Sequence, residues 1–224
     1  MRHTTIALIV APLAVWTLAS GCTDFDLPSA LTREQVVAVR STPASLTPGT
    51  RAQLDALIAG PDGVVEDAEL NWSLTTPTAG ASIEVDDSGA AWLSVTDGVA
   101  PGPVGITLDV IAPSGAEASA LKIVEVGDQP GDNPGPMGLR AGELPIEGTE
   151  LHVAAGATVA LTAEPEGVES PQLSWYATVG EIELYRRNPT ELVAPEEPDE
   201  GWLIAVVRDG AGGVTWQIVS LVVE

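Results

Sequence analysis

The chain has 224 residues, with 32 acidic against 9 basic side chains and a formal net charge of −23. A balance this acidic repels nucleic-acid phosphates and anionic membrane surfaces, which makes both poor partners. Its 45% hydrophobic content suffices for a core, and its single cysteine excludes an internal disulfide.

Arg2 and His3 precede an apolar run from Ile6 to Leu18, and the small residues Ala19, Ser20 and Gly21 then lead to Cys22. A basic start, a short apolar stretch and a small-residue exit form the three-part pattern of a secretory signal over 1–21. The run is shorter than the roughly 20 residues that a membrane-spanning helix needs, and a proline interrupts it. Leu18-Ala19-Ser20-Gly21-Cys22 resembles the lipobox of bacterial lipoproteins, with its leucine one place earlier than usual in that family. The resemblance implies cleavage before Cys22, diacylglycerol on its thiol and attachment to a membrane through the acyl chains. Thr23 stands where some Gram-negative lipoproteins carry the Asp of an inner-membrane retention signal, so the resemblance favours the outer membrane.

Residues 22–34 read as a tether, followed by a first module over 35–126. Between 127 and 138 the chain is dense in Gly and Pro without apolar periodicity, the composition of a linker. A second module follows over 139–224. The two modules echo each other. Gly49-Thr50-Arg51-Ala52-Gln53-Leu54-Asp55-Ala56 aligns with Gly156-Ala157-Thr158-Val159-Ala160-Leu161-Thr162-Ala163, both with the period of a half-buried strand. Downstream, Leu70-Asn71-Trp72-Ser73-Leu74 aligns with Leu173-Ser174-Trp175-Tyr176-Ala177. A tryptophan on the third strand, packed between two sheets, resembles the core of immunoglobulin-like domains. The resemblance implies an all-β chain of two tandem immunoglobulin-like sandwiches with Trp72 and Trp175 in their cores.

Each module closes on a predicted hairpin, 104–111 with 118–126 and 202–208 with 214–223. Asp209-Gly210 is a strong turn signal for the second, and it predicts Val206 opposite Trp216 and Trp202 opposite Ser220. In the first hairpin Ile106, Leu108 and Val110 alternate with polar residues. The second lacks that alternation: Trp202, Ile204, Val206, Trp216 and Ile218 share one face, and Leu203, Ala205, Val207, Val219 and Leu221 share the other. One face lines the core. The other is either covered by the linker, the first module or a loop, or left open as a patch for a protein or glycan, with Trp202, Trp216, Ile204 and Ile218 as its residues.

Chemistry-bearing motifs are sparse. His152 is the one histidine after the signal, in a strand-like Leu151-His152-Val153, without a second histidine or cysteine beside it. There is no G-x-S-x-G elbow and no phosphate loop. Glu191, Glu196, Glu197, Asp199 and Glu200, and separately Asp86 and Asp87, lack the ligand spacing of a calcium loop and read as solvated acidic turns. The sequence therefore predicts a lipid-anchored, non-catalytic envelope protein without cofactor or metal, which binds a ligand or acts as a spacer. The alternatives are a purely structural envelope component and a carboxylate-based hydrolase.

Overall fold

A computed structural model describes residues 28–224, and among them every regular element is a β-strand. The first module contains β1 (Gln35–Thr42), β2 (Arg51–Gly60), β3 (Gly63–Val64), β4 (Glu69–Leu74), β5 (Ala81–Val85), β6 (Ala91–Val95), β7 (Gly102–Ile111) and β8 (Glu117–Val126). They form one sheet ordered β1-β2-β6-β5, with β3 beside β2, and a second ordered β4-β7-β8. In the second module β9 (Met137–Ala141), β10 (Leu144–Pro145), β12 (Thr158–Pro165), β14 (Glu181–Ile182) and β15 (Thr190–Val193) make a sheet ordered β10-β9-β12-β15-β14. Its partner sheet, ordered β11-β17-β16-β13, holds β11 (Glu150–Val153), β13 (Gln172–Ala177), β16 (Asp199–Arg208) and β17 (Val214–Val223). Four strands ordered A-B-E-D facing three ordered C-F-G define the immunoglobulin-like sandwich, and β1-β2-β6-β5 over β4-β7-β8 reproduces that order. The second module repeats it, with β11 added parallel to β17. The chain is two tandem immunoglobulin-like sandwiches.

Alternation decides which side chains enter each core. Ala52 and Leu54 of β2 meet Leu93, Val104, Ile106 and Val124 inside the first sandwich. Leu161 and Ala163 of β12 meet Trp175, Leu203, Val219 and Leu221 inside the second. Both third-strand tryptophans point inward but differ in burial. Trp175 is fully buried, and its indole Nε1 donates to the carbonyl of Arg187 at 3.0 Å. Trp72 is only half-buried, at the margin of two core clusters, which corrects its expected place in the core. The cause is the edge each strand occupies. The outer edge of β13 is closed by the turn at 183–188, through Trp175 N to Tyr185 O at 2.8 Å, and by residues 29–31, whereas among the described residues β4 has no such backbone cover.

The segment expected as a free tether is fastened from Ser29 onward, and to the second module. Ala177 N donates to Ser29 O at 3.0 Å, Leu31 N donates to Ala177 O at 3.2 Å, and Leu31 is buried. The Gly/Pro segment is hydrogen-bonded to the first module as well. Ala44 N donates to Gly131 O at 2.8 Å, and β9 begins at Met137.

Trp175→Ala should destabilise the protein by about 3–5 kcal/mol, the cost of a large cavity, with no disulfide in reserve. Trp72→Ala should cost clearly less. Chemical denaturation of the two variants measures both, and equal losses would contradict the difference in burial.

Candidate functional site

The hairpin of β16 and β17 pairs Val206 with Trp216 and Trp202 with Ser220, so the register read from its Asp-Gly turn is the one observed. Leu203, Ala205, Val207, Val219 and Leu221 enter the second module's core. The opposite face lies against the first module: Ile204, Val206 and Val214 form one buried cluster with Leu31, Val37, Ala38, Leu57 and Ala59, and Trp216 and Ile218 pack on its margin. Ile204 is fully buried. Trp202, the most exposed of the four candidate residues, rests over the β2–β3 turn. A Cβ built on Gly63 there would fall 2.3 Å from its indole nitrogen, and Gly63 has φ +107°. Of the two readings of this face, cover by the first module is the one observed, and not an open patch at Trp202, Trp216, Ile204 and Ile218. The face is a seam between modules, since β1 and β2 offer the apolar area it needs. One signal for this was available: alternation in β2 also breaks down, with Leu57, Ile58, Ala59 and Gly60 all buried.

Polar contacts bracket the seam. The guanidinium of Arg40 stacks 4.1 Å from the Trp216 ring centroid while donating to Asp55 Oδ2 at 2.6 Å. Asn133 from the linker donates through Nδ2 to Ser41 O at 2.8 Å and accepts through Oδ1 from Val214 N at 2.9 Å. Two cations then cross in opposite directions. Arg208 of the second module donates to Val37 O at 3.1 Å, and Lys122 of the first donates to Gly212 O. Neither is in an ion pair among the described residues. Val36, Val39, Leu121, Lys122, Ile123 and Arg208 help to line a cleft of about 390 Å³ along this seam. Burial pushes the Lys122 ammonium below its ordinary 10.5; Asp209 opposes the shift and Arg208 adds to it.

The other sequence candidates are scattered. Cys22 lies outside the described residues. His152 sits on β11 with Glu150 Oε2 and Glu224 Oε1 each 3.6 Å away, and its side chain is half-exposed. Asp86 caps the β5–β6 turn: it accepts from Ser88 N, Ser88 Oγ, Ala90 N and Trp92 Nε1. These bonds, the Ser88 hydroxyl foremost, hold its carboxyl down at about 2. Among the described residues no group of three or more His, Cys, Asp or Glu side chains is placed to hold a metal ion.

No protein-family model and no curated protein matches the sequence. Solved structures similar to the chain include the N-terminal Ig1-2 module of the Drosophila receptor protein tyrosine phosphatase DLAR. It shares 14% identity over 85% of this chain and 98% of its own, with a TM-score of 0.32. A chimeric titin Z1Z2 carrying a decorin peptide shares 17% identity over 87% of this chain and 98% of its own, with a TM-score of 0.28. Fibronectin(III)-like modules of Clostridium thermocellum CbhA share 12% over 84% and 94%, with a TM-score of 0.31.

Ile204→Asp would place an unpaired charge in the seam while leaving the core face of β16 intact. We expect a loss of more than about 3 kcal/mol, a larger radius of gyration by small-angle scattering, and protease nicking within 127–136. An unchanged scattering profile would refute the seam. For Lys122 the expectation concerns pH. The unfolded chain keeps the lysine proton up to 10.5 and the folded chain loses it earlier. Between those two values the unfolded state binds more protons, so stability rises with pH there. Relative to Lys122→Met, the wild type should gain stability as pH climbs toward 10.5, measured by urea denaturation in a pH series.

Proposed function

We propose that this chain is a lipid-anchored bacterial envelope protein whose two immunoglobulin-like modules work as one stiff, non-catalytic unit, a spacer or scaffold next to the membrane. The observation that carries the reading is the seam. The apolar face that the β16–β17 hairpin turns away from its own core is spent on holding the modules together, with Arg208, Lys122 and Asn133 bridging it. Tandem modules joined by a flexible linker sweep a wide volume; modules joined through a buried sheet face keep one distance and one orientation. The Leu18–Cys22 stretch supports attachment through acyl chains, which hold firmly when more than one is present, and Thr23 favours the outer membrane. A binding role has one observation of its own. Leu121 and Ile123 of β8 are 62% and 49% exposed beside the seam cleft, an apolar strip that a protein partner could cover.

Cys22→Ala should abolish lipid attachment and leave an unprocessed or mislocalised precursor. Mass spectrometry of the wild-type N-terminal peptide checks the reading directly. A free thiol at Cys22, or cleavage at another bond, would overturn it.

A further inference from the structure

We propose that the turn at 183–188 is a membrane-contact surface, which seats the second module on the headgroup phosphates of the phospholipid bilayer that holds its own anchor. The inference rests on the lipid-anchor reading and adds to it a face, a ligand chemistry and an orientation.

Position comes first. Pro28 and Ser29 line the same cleft of about 370 Å³ as Ile182, Leu184, Tyr185 and Arg187. Ser29 Oγ donates to Ile182 O at 3.3 Å and Ser29 O accepts from Ala177 N, so the chain is pinned at the flank of this turn. Cys22 is six residues before Pro28, a stretch that spans at most about 21 Å when fully extended. Acyl chains on Cys22 therefore hold this end of the molecule close to the bilayer surface.

The composition of the turn fits that neighbour. Arg186 and Arg187 are both exposed, and among the described residues neither is in an ion pair, in a chain that has nine basic side chains in all. Leu184 is 49% exposed, and the half-buried Tyr185 lies under the Arg186 guanidinium, 5.1 Å from its ring centroid. An aliphatic side chain, a tyrosine ring and arginines with long apolar stems match the layered polarity of a membrane interface. Glu181 precedes the turn and Glu183 is its first residue, so the attraction is local, to phosphate groups within reach of the two guanidinium heads. With a net charge of −23 the protein as a whole is repelled by an anionic bilayer. The contact therefore works only as an adjunct to the anchor.

The turn is also built in advance. Trp175 N donates to Tyr185 O at 2.8 Å and its Nε1 to Arg187 O at 3.0 Å. Arg187 N donates to Leu184 O at 2.8 Å, and Thr190 Oγ1 to Leu184 O at 3.0 Å. With the backbone fixed on the buried Trp175, docking orders little beyond the side chains themselves.

The test uses full-length protein with its native N-terminus, reconstituted into phosphatidylethanolamine/phosphatidylglycerol vesicles. Amide hydrogen exchange is followed at 183–188, with the turn at 86–89 as an internal reference. The wild type should float with the vesicles and exchange more slowly at 183–188 than at the reference turn, relative to each turn's rate without lipid. The Arg186→Glu/Arg187→Glu double variant should float equally and lose that protection by about 25-fold or more, since each arginine near an anionic surface contributes about a fivefold factor. Arg186→Ser/Arg187→Ser, with an unchanged thermal unfolding curve, guards against misfolding and should lose most of the protection too. Flotation without protection at 183–188, or equal protection at 86–89, overturns the contact face and leaves the anchor reading standing. Failure of the wild type to float overturns the anchor reading and the contact with it.

Discussion

The hairpin of β16 and β17 has two apolar faces, and a sheet face of that composition is not stable against water. One face completes the second sandwich around Trp175, Leu203 and Leu221; the other needs an equal partner and finds it on β1 and β2 of the first. Most other features of the molecule follow from this double burial. The linker has to turn the second module back onto the first, so it is tacked down through Gly131 and Asn133. The β2–β3 turn has to come close under an indole, so Gly63 stands there with no side chain and a positive φ. Because apolar burial is non-directional, the seam also needs its orientation fixed, and the crossed donors Arg208 and Lys122 do that by reaching carbonyls on the opposite module.

Charge is used sparingly and locally. In so acidic a chain the few cations have carboxylates in excess to pair with, yet among the described residues only Arg40 makes an arginine–carboxylate pair, and it is stacked on Trp216 at the same time. Arg208 and Lys122 are directed at backbone carbonyls inside the seam, and Arg51 lies over Trp92. A buried cation bound to a carbonyl is a weaker stabiliser than one facing a carboxylate, and the depressed ionisation of Lys122 reflects that desolvation. What such contacts supply is geometry, since each works in one relative pose of the modules only.

Much of the fold was legible because period-2 patterning and turn chemistry act locally. The hairpin register follows from Asp209-Gly210, and the echo of Leu70–Leu74 in Leu173–Ala177 places both tryptophans on equivalent strands. The identity of the cover over Ile204 and Trp216 was not legible, because covering is a property of another surface. The breakdown of alternation at Leu57-Ile58-Ala59-Gly60 was the matching half of the signal, and a lysine at 122, in step with Val124 and Val126, marked where a polar group would be buried. The docking of residues 29–31 left no trace at all. Pairing at a sheet edge uses backbone groups that every residue carries, so three residues of it have no sequence signature. The incomplete burial of Trp72 is likewise a matter of what lies beyond the edge of β4.

The order in which β8, β16 and β17 are made has a kinetic consequence. Synthesis runs from the N-terminus, and the first sandwich can close its own core as soon as β8 is made. Its outer face, with Val37, Leu57 and Ala59, then stays bare until β16 and β17 follow. Residues 29–31, made earlier still, wait for β13, whose edge they join. Until the hairpin docks, the nascent chain displays an apolar sheet face to chaperones and proteases, and docking hides it together with the hairpin's own.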